Sequence, residues 1–214
     1  CIRDRFYGIA SGTFNNCTGF NSGNTGGGFV GRYGTASGTF INCTGTNTSI
    51  AGGGVGGGDA IASGTFTNCT GVNDAIYGGG FVGSFGVASG TFTNCTGTNS
   101  NSFGGGFAGS NGTASGTFFN CNGSNTGSSG GGFAGQGSGV SGTFFNCNGS
   151  NTGSSGSGFA GIPVTFPSSF SGTFISCITT DITLPALTNS GIASKPACYI
   201  NCLDSSGNLV NGSA

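Results

Sequence analysis

Cysteine is the residue type in this chain with the richest chemistry, because a thiol can bind a metal or form a disulfide. The chain has ten cysteines and no histidine, and no two cysteines have the C-x2-C spacing of zinc sites. We therefore predict no metal and no other cofactor. Seven of the cysteines share one sequence context, and the first six recur every 26 residues. These seven are Cys17, Cys43, Cys69, Cys95, Cys121, Cys147 and Cys177.

Phenylalanine and asparagine keep the same register as these cysteines. The phenylalanine column is Phe14, Phe40, Phe66, Phe92, Phe118, Phe144 and Phe174. The asparagine column is Asn16, Asn42, Asn68, Asn94, Asn120 and Asn146. A second phenylalanine column, interrupted by Val55, is Phe29, Phe81, Phe107, Phe133 and Phe159. A second asparagine column is Asn21, Asn47, Asn73, Asn99, Asn125 and Asn151. A strict period of this length indicates a solenoid, a propeller or another array of repeated units.

One turn of a parallel β-solenoid is the element that fits this period. A propeller blade needs about 40–50 residues, and the glycine-rich repeats lack helix formers. We predict an all-β parallel solenoid of about seven 26-residue turns, with like residues stacked about 4.8 Å apart. In A-S-G-T-F, the alternation places Ala36, Gly38 and Phe40 inside. The following asparagine is predicted at a corner, and G-G-G-F at a second strand with its phenylalanine inward.

The repeats divide the chain into three parts. Residues 1–9 precede the first repeat and are predicted to contact a neighbouring subunit, and residues 10–178 are predicted to form the solenoid domain. Residues 179–214 break the repeat and are predicted to cap their own chain or to donate a strand to a neighbour.

The cysteine column has two interpretations. Stacked Cα atoms lie within the range that a disulfide allows, but parallel side-chain directions give poor disulfide geometry. We favour buried thiols that pack as small apolar groups, with disulfides between turns as the alternative. Cys1, Cys198 and Cys202 lie outside the column, and we predict that these three form disulfides or subunit contacts.

The asparagines raise the question of glycans, because Asn16, Asn42, Asn68 and Asn94 occur in N-C-T glycosylation signals. Further signals occur at Asn47, Asn111, Asn122, Asn148 and Asn211. Glycans on neighbouring turns would lie too close together. We therefore favour hydrogen-bonded corner asparagines for the N-C-T set, with a glycan column as the alternative.

The composition excludes several classes of function. The net charge is −1 with nine charged residues, so no basic stripe exists to neutralise nucleic-acid phosphates. No apolar run of 18 residues exists to form a membrane helix. Asp59 and Asp74 occupy different positions in neighbouring repeats, and no histidine is present as a general base. We therefore predict that the protein is not an enzyme.

Outward threonines suggest one further interpretation. The column Thr13, Thr39, Thr65, Thr91, Thr117, Thr143 and Thr173 is predicted to face outward. Ice-binding solenoids present such arrays, but a regular T-x-T pattern holds here only in the repeats of Thr65 and Thr91. Threonine is also a good strand residue, so ice binding remains a secondary interpretation.

The motif S-G-T-F-x-N-C-T-G together with G-G-G-F resembles the β-solenoid repeats of bacterial surface adhesins and polymorphic outer-membrane proteins. The resemblance covers residues 10–178, where Gly104–Phe107 and Phe92–Asn94 correspond to the family's two repeat elements. It implies an extracellular right-handed β-helix with a surface role. No C-terminal β-barrel segment follows the repeats, which favours a released or polymerised subunit over an autotransporter.

The two ends of the chain are predicted to carry the function. Six of the nine charged residues lie outside the regular repeats or at their ends, including Arg3, Arg5 and Asp204. Contacts between oppositely charged ends would be directional and would propagate into a filament. We expect a secreted or cell-surface protein, processed to start at Cys1, whose copies stack head to tail. A monomeric adhesin or ice-binding module is the alternative.

Overall fold

The computed structural model describes residues 7–153, 156, 158–159, 172–179, 198–203 and 208–213. These residues form parallel sheets stacked as a β-solenoid, which confirms the predicted fold class. The part of the chain that the structure describes contains no helix, and therefore none long and apolar enough to cross a membrane.

Each turn contributes three short strands, and each strand hydrogen-bonds to the equivalent strand of the next turn. The first column contains β1 (Ile9–Ala10), β4 (Thr35–Ala36), β7 (Ile61–Ala62), β10 (Val87–Ala88), β13 (Thr113–Ala114) and β16 (Gly139–Val140). The second contains β2 (Thr13–Asn15), β5 (Thr39–Ile41), β8 (Thr65–Thr67), β11 (Thr91–Thr93), β14 (Thr117–Phe119), β17 (Thr143–Phe145) and β19 (Thr173–Ile175). The third contains β3 (Thr18–Asn21), β6 (Thr44–Asn47), β9 (Thr70–Asn73), β12 (Thr96–Asn99), β15 (Asn122–Asn125), β18 (Asn148–Asn151) and β20 (Ile178–Thr179).

The pairing register of the strands equals the sequence period. Phe92 pairs with Phe66 on one side and with Phe118 on the other, so each residue lies above its counterpart one repeat away. The alternation of side chains also follows the prediction, because Ala36, Gly38 and Phe40 are buried while Ser37 and Thr39 are not. The small and aromatic positions therefore form the interior, and the variable positions face solvent.

The corner between the second and third strands is made by the first asparagine column. Asn16, Asn42, Asn68, Asn94, Asn120 and Asn146 all have a left-handed backbone, with φ of 51° to 54°. Asparagine tolerates this conformation better than most residues. The turn lets the chain change direction after Phe and point the next cysteine inward again, as the sequence predicted.

The G-G-G-F segment does not form the predicted second strand. It makes only isolated parallel bridges, such as Gly79 to Gly105 and Val82 to Ala108. The phenylalanine is inward as predicted, but the backbone passes too close to the third strand for side chains. A Cβ atom on Gly97 would overlap the carbonyl of Gly106. The glycines therefore allow a thin cross-section in which one backbone crosses another.

The C-terminal end differs from the predicted pattern. Among the described residues the first column has six strands and the second has seven, so about six turns are complete, and the place of a seventh strand in the first column falls within residues 160–171, outside the described part of the chain. Strands β19 and β20 form part of a further turn, and β21 (Cys198–Leu203) pairs in parallel with both of them. A final strand, β22 (Leu209–Ser213), runs antiparallel to β21. Strand β22 therefore runs opposite to the other strands of this sheet.

Candidate functional site

The candidate functional site is the set of side-chain ladders together with the two ends of the stack. Inside, the two phenylalanine columns form continuous aromatic ladders. Rings in the same column are stacked, as in Phe92 and Phe118 with centroids 4.9 Å apart and Phe107 and Phe133 at 4.8 Å. Rings from different columns meet edge to face, as in Phe107 and Phe118 at 5.1 Å and 81°. Both geometries are favourable for aromatic pairs.

The cysteines form a column of thiols beside the phenylalanines. All eight cysteines whose side chains the structure describes are free thiols, which agrees with the favoured interpretation and not with disulfides. Within this column, each Sγ from Cys43 to Cys177 and that of Cys202 lies 3.3–3.6 Å from two carbonyl oxygens, one in its own turn and one in the turn before. For Cys95 these are the carbonyls of Thr93 and Phe66.

Cys202 corrects one expectation from the sequence. It was predicted to lie outside the column and to form a disulfide or a subunit contact, but it is a buried free thiol at the end of the column. Cys202 joins the column because the segment C-Y-I-N-C, which begins with β21, repeats the segment T-F-I-S-C, which begins with β19. The two segments pair in register, with Ile175 opposite Ile200. Asn201 has the same left-handed backbone as the corner asparagines, with φ of 51°. This segment is an additional copy of the repeat, and the sequence period did not reveal it because its spacing from the preceding copy differs.

The thiols of the column influence each other's protonation. Contact with the Cys147 thiol and burial raise the pKa of Cys177 to about 12. Contact with the adjacent thiol and burial also raise the pKa values of Cys69, Cys121 and Cys202. Cys95 and Cys147 have lowered pKa values, because each could accept hydrogen bonds from the thiols above and below it, while burial opposes the shift. The thiols therefore titrate as a connected set.

The second asparagine column is a buried ladder, a role that its sequence period did not reveal. Each side-chain nitrogen donates to the side-chain oxygen one turn later, from Asn21 through Asn47, Asn73, Asn99 and Asn125 to Asn151, over 2.6–2.9 Å. The same nitrogens also donate to carbonyls of the adjoining loop, as Asn125 does to Gly127. The ladder satisfies polar groups in the interior and ties the loop to the strands.

The corner asparagines form a second, exposed ladder with the opposite direction. The side-chain nitrogens of Asn68, Asn94, Asn120 and Asn146 each donate to the asparagine one turn earlier, over 2.9–3.3 Å. This is the hydrogen-bonded corner that the sequence analysis favoured over a glycan column. Among the other glycosylation signals, Asn47 is fully buried in the interior ladder, so the folded protein cannot carry a glycan there.

The outward faces change character along the stack. The predicted outward threonines are exposed or half-buried, as at Thr65 and Thr91. The third strands carry a further threonine array that the sequence analysis did not identify, at Thr44, Thr46, Thr70, Thr96 and Thr98. Toward the C-terminus the outward positions of the second strands become apolar, and they are Phe119, Phe145, Ile175 and Ile200.

A cluster of aromatic and charged side chains lies near the N-terminal end. The rings of Tyr7 and Tyr33 stack with centroids 5.3 Å apart, and the Arg32 guanidinium lies 4.9 Å from the Tyr33 ring centroid. Arg32 also forms an ion pair with Asp59 over 2.9 Å, and hydrogen bonding to Asp59 raises the pKa of Arg32. The pair joins two consecutive turns on the surface.

The two ends of the stack have different edges. In successive turns the backbone N–H groups of Thr35, Thr39 and Thr44 donate to Gly8, Gly12 and Cys17 of the turn before. The equivalent groups of Ile9, Thr13 and Thr18 have no preceding turn among the described residues. Phe14 and Cys17 are correspondingly only partly buried. At the other end, β22 covers the outer edge of β21.

Several predicted contact residues lie outside the described part of the chain. These are Cys1, Arg3, Arg5 and Asp204, together with the side chain of Cys198. Their proposed subunit contacts and disulfides therefore stay predictions.

Comparisons with known proteins give this chain no relative. No protein-family model matches it, and neither the curated proteins nor the solved structures provide a match. The resemblance to bacterial surface repeats therefore remains an expectation drawn from the motifs alone.

Proposed function

We propose that this protein is a non-catalytic structural subunit of an extracellular filament, in which copies associate end to end. The observation that carries the proposal is the unequal pair of ends. The N-terminal turn has strand N–H groups without a partner among the described residues. An open strand edge is a template for pairing with another chain.

The other side of the joint is the outer edge of β22. Among the described residues, β22 pairs with β21 alone, and in the proposed joint its second edge pairs with the N-terminal turn of the next copy. The contact joins two different surfaces and does not close on itself, so it propagates. Because β22 is antiparallel, the parallel stack is interrupted at each joint.

The low charge of the chain supports close association. Only nine of 214 residues are charged, and the net charge is −1. Self-repulsion between copies is therefore weak. Apolar side chains at the N-terminal end add to the joint, since Tyr7 and Ile9 are both largely exposed.

The test is electron microscopy and size-exclusion chromatography of the double variant Thr13→Pro/Thr18→Pro. Proline removes the two edge N–H groups and obstructs strand addition, yet an edge strand tolerates it. The matched control Thr13→Val/Thr18→Val keeps both N–H groups. We expect filaments from the wild type and the control, and monomers from the proline variant. Filaments of unchanged length from a folded proline variant, or a monomeric wild type, would contradict the proposal.

A second candidate function, ice binding by the monomer, is favoured by one observation. Threonine arrays occur on both sides of the asparagine corner, with Thr65 and Thr67 on one face and Thr96 and Thr98 on the other. Outward residues of one strand are about 6.6 Å apart, and successive turns about 4.8 Å, so Thr65, Thr67, Thr91 and Thr93 place four hydroxyl groups in a small regular array.

Thermal hysteresis measurements test this second function. We expect Thr70→Lys/Thr96→Lys to abolish hysteresis, whereas Thr143→Lys, next to the apolar Phe145, leaves it unchanged. A wild-type protein without hysteresis or ice shaping would exclude the ice-binding function.

A further inference from the structure

Two tyrosines stack on each other at the N-terminal end of the solenoid. The rings of Tyr7 and Tyr33 are nearly parallel, at 18°, with centroids 5.3 Å apart. Both residues belong to one column, because Ile9 and Thr35, two residues further along the chain, pair in register. Tyr7 is 73% exposed and Tyr33 is 40% exposed. Consecutive turns therefore hold two solvent-accessible phenols close together.

The surroundings hold one ring of this pair more firmly than the other. The Arg32 guanidinium lies 4.9 Å from the Tyr33 ring centroid, and Arg32 is itself bound to Asp59 over 2.9 Å. A cation beside an aromatic face is an attractive contact. Tyr7 belongs to the terminal turn and is the more exposed ring. Tyr7 can therefore turn about its side-chain bonds while Tyr33 keeps its place.

We propose that Tyr7 and Tyr33 form a dityrosine cross-link under a one-electron oxidant of the haem peroxidase class, with hydrogen peroxide as the final electron acceptor. Each phenol loses one electron and one proton and becomes a phenoxyl radical. The two radicals combine in a new carbon–carbon bond between ring positions ortho to the oxygens. The hydrogen on each of these carbons then leaves as a proton while each oxygen regains one. In total the pair loses two hydrogen atoms, and the peroxide is reduced to water.

The stacked pair needs one rearrangement before this bond can form. In the product the rings lie edge to edge, so the two ortho carbons must approach each other at one side of the stack. Exposed side chains change rotamer rapidly, and the exposure of Tyr7 permits the movement. The partner ring stays one turn away throughout. Such proximity favours coupling within the chain over coupling to a second chain.

The cross-link acts on the turn with the fewest stabilising neighbours. Among the described residues the first turn stacks on one other turn only, and Phe14 and Cys17 are only partly buried. Stability in a solenoid comes from the interfaces between repeats, so an end repeat has less of it. A bond between Tyr7 and Tyr33 closes a loop of one whole repeat and restricts the unfolded chain. It lies within one chain and does not depend on the proposed filament.

A second aromatic stack provides an internal control. Tyr77 and Phe103 also lie one turn apart, with ring centroids separated by 5.4 Å and planes inclined by 11°. Phe103 has no phenol oxygen and forms no phenoxyl radical, so this pair cannot cross-link. Phe103→Tyr supplies the missing phenol at an equivalent stack. Tyr33→Phe does the reverse, because it keeps the ring but removes the phenol.

Peroxidase treatment of the dilute full-length chain, followed by reduction of any disulfide and digestion with trypsin, tests the proposal. Trypsin cuts after Arg32 and so separates Tyr7, on fragment 6–32, from the other three tyrosines, on fragment 33–214. We expect mass spectrometry to find these fragments joined and lighter by two hydrogen atoms. Before digestion, the treated protein should show dityrosine fluorescence and a raised melting temperature. Separate fragments, under conditions that couple free tyrosine, would overturn the proposal.

Three variants, each checked for β-sheet circular dichroism, identify the partners of the bond. Tyr33→Phe should leave the fragments separate, whereas Tyr77→Phe/Tyr199→Phe should leave the joined product unchanged. Phe103→Tyr should roughly double the dityrosine fluorescence without changing the yield of joined fragments. Joined fragments from a folded Tyr33→Phe chain, or products joined mainly between chains, would refute the Tyr7–Tyr33 assignment. No added fluorescence from a folded Phe103→Tyr chain would contradict the claim that stacking in a column directs the coupling.

Discussion

Phe118 and Phe119 are adjacent in the chain, but they lie on opposite faces of the same strand. Phe118 has no exposed surface and stacks between Phe92 and Phe144, whereas Phe119 is 39% exposed. The inward column is phenylalanine in every turn from β2 to β19, but the outward column contains Asn, Ile, Thr and Phe. Of these two neighbouring positions, only the inward one keeps a single residue type in every turn.

The largest expected difference in the free energy of unfolding is between the alanine variants of Phe118 and Phe119. Phe118→Ala removes a ring that contacts four other rings, so we expect a loss of about 3–5 kcal/mol in the free energy of unfolding. Phe119→Ala should lose less than about 1 kcal/mol, because its ring is partly in solvent already. Urea unfolding of both variants provides the measurement. Equal losses would show that the inward and outward faces are not energetically distinct.

The two asparagine ladders give a second, smaller contrast. Asn99→Ala leaves the buried Asn73 nitrogen and Asn125 oxygen without their ladder partners, so we expect a loss of about 2–3 kcal/mol. Asn94→Gly in the exposed ladder keeps the left-handed backbone accessible and leaves only solvated groups unpaired. Its loss should be below about 1 kcal/mol in the same unfolding assay. An Asn94→Gly variant as unstable as Asn99→Ala would refute this distinction between the ladders.

The raised pKa of the buried Cys177 thiol leads us to expect that stability declines at alkaline pH. The pKa of Cys177 is about 12 in the folded chain, against an ordinary value of 9.0. The folded state holds the Cys177 proton more tightly than the unfolded state does. The stabilisation that this thiol contributes is therefore complete below pH 9 and is lost as the pH rises toward 12. We expect chemical denaturation midpoints to fall in this window. Cys177→Ala should reduce the slope with pH, whereas an unchanged slope would exclude this thiol as the cause.

The smallest expected effect is a gain in stability when Phe85 is replaced. This residue has a left-handed backbone with φ of 58° and is 59% exposed. The equivalent positions in neighbouring turns are Asp59 and Asn111, which tolerate that conformation more easily. Phe85→Asn should therefore raise the melting temperature, by an amount corresponding to about 1 kcal/mol. The reverse change Asn111→Phe should lower it, and a loss at Phe85→Asn would indicate that the exposed ring makes a stabilising contact.

The period of the sequence was sufficient to predict the solenoid, because stacking requires like residues at each turn and the columns of Phe40 and Cys43 are regular. It did not reveal that the column of Asn99 is buried, since asparagine is common at exposed corners as well. The sequence period also did not reveal the additional copy of the repeat in β21, because tyrosine replaces phenylalanine there and the spacing changes. The bridges of the G-G-G-F segment were mistaken for a strand, because glycine spacing does not show how closely two backbones approach.

Sulfur anomalous diffraction from crystals of the unmodified, reduced protein tests the central claim most directly. We expect a straight row of eight sulfur peaks, each separated from the next by about 4.8 Å. Sulfur peaks paired about 2 Å apart, or distributed away from a common axis, would contradict it.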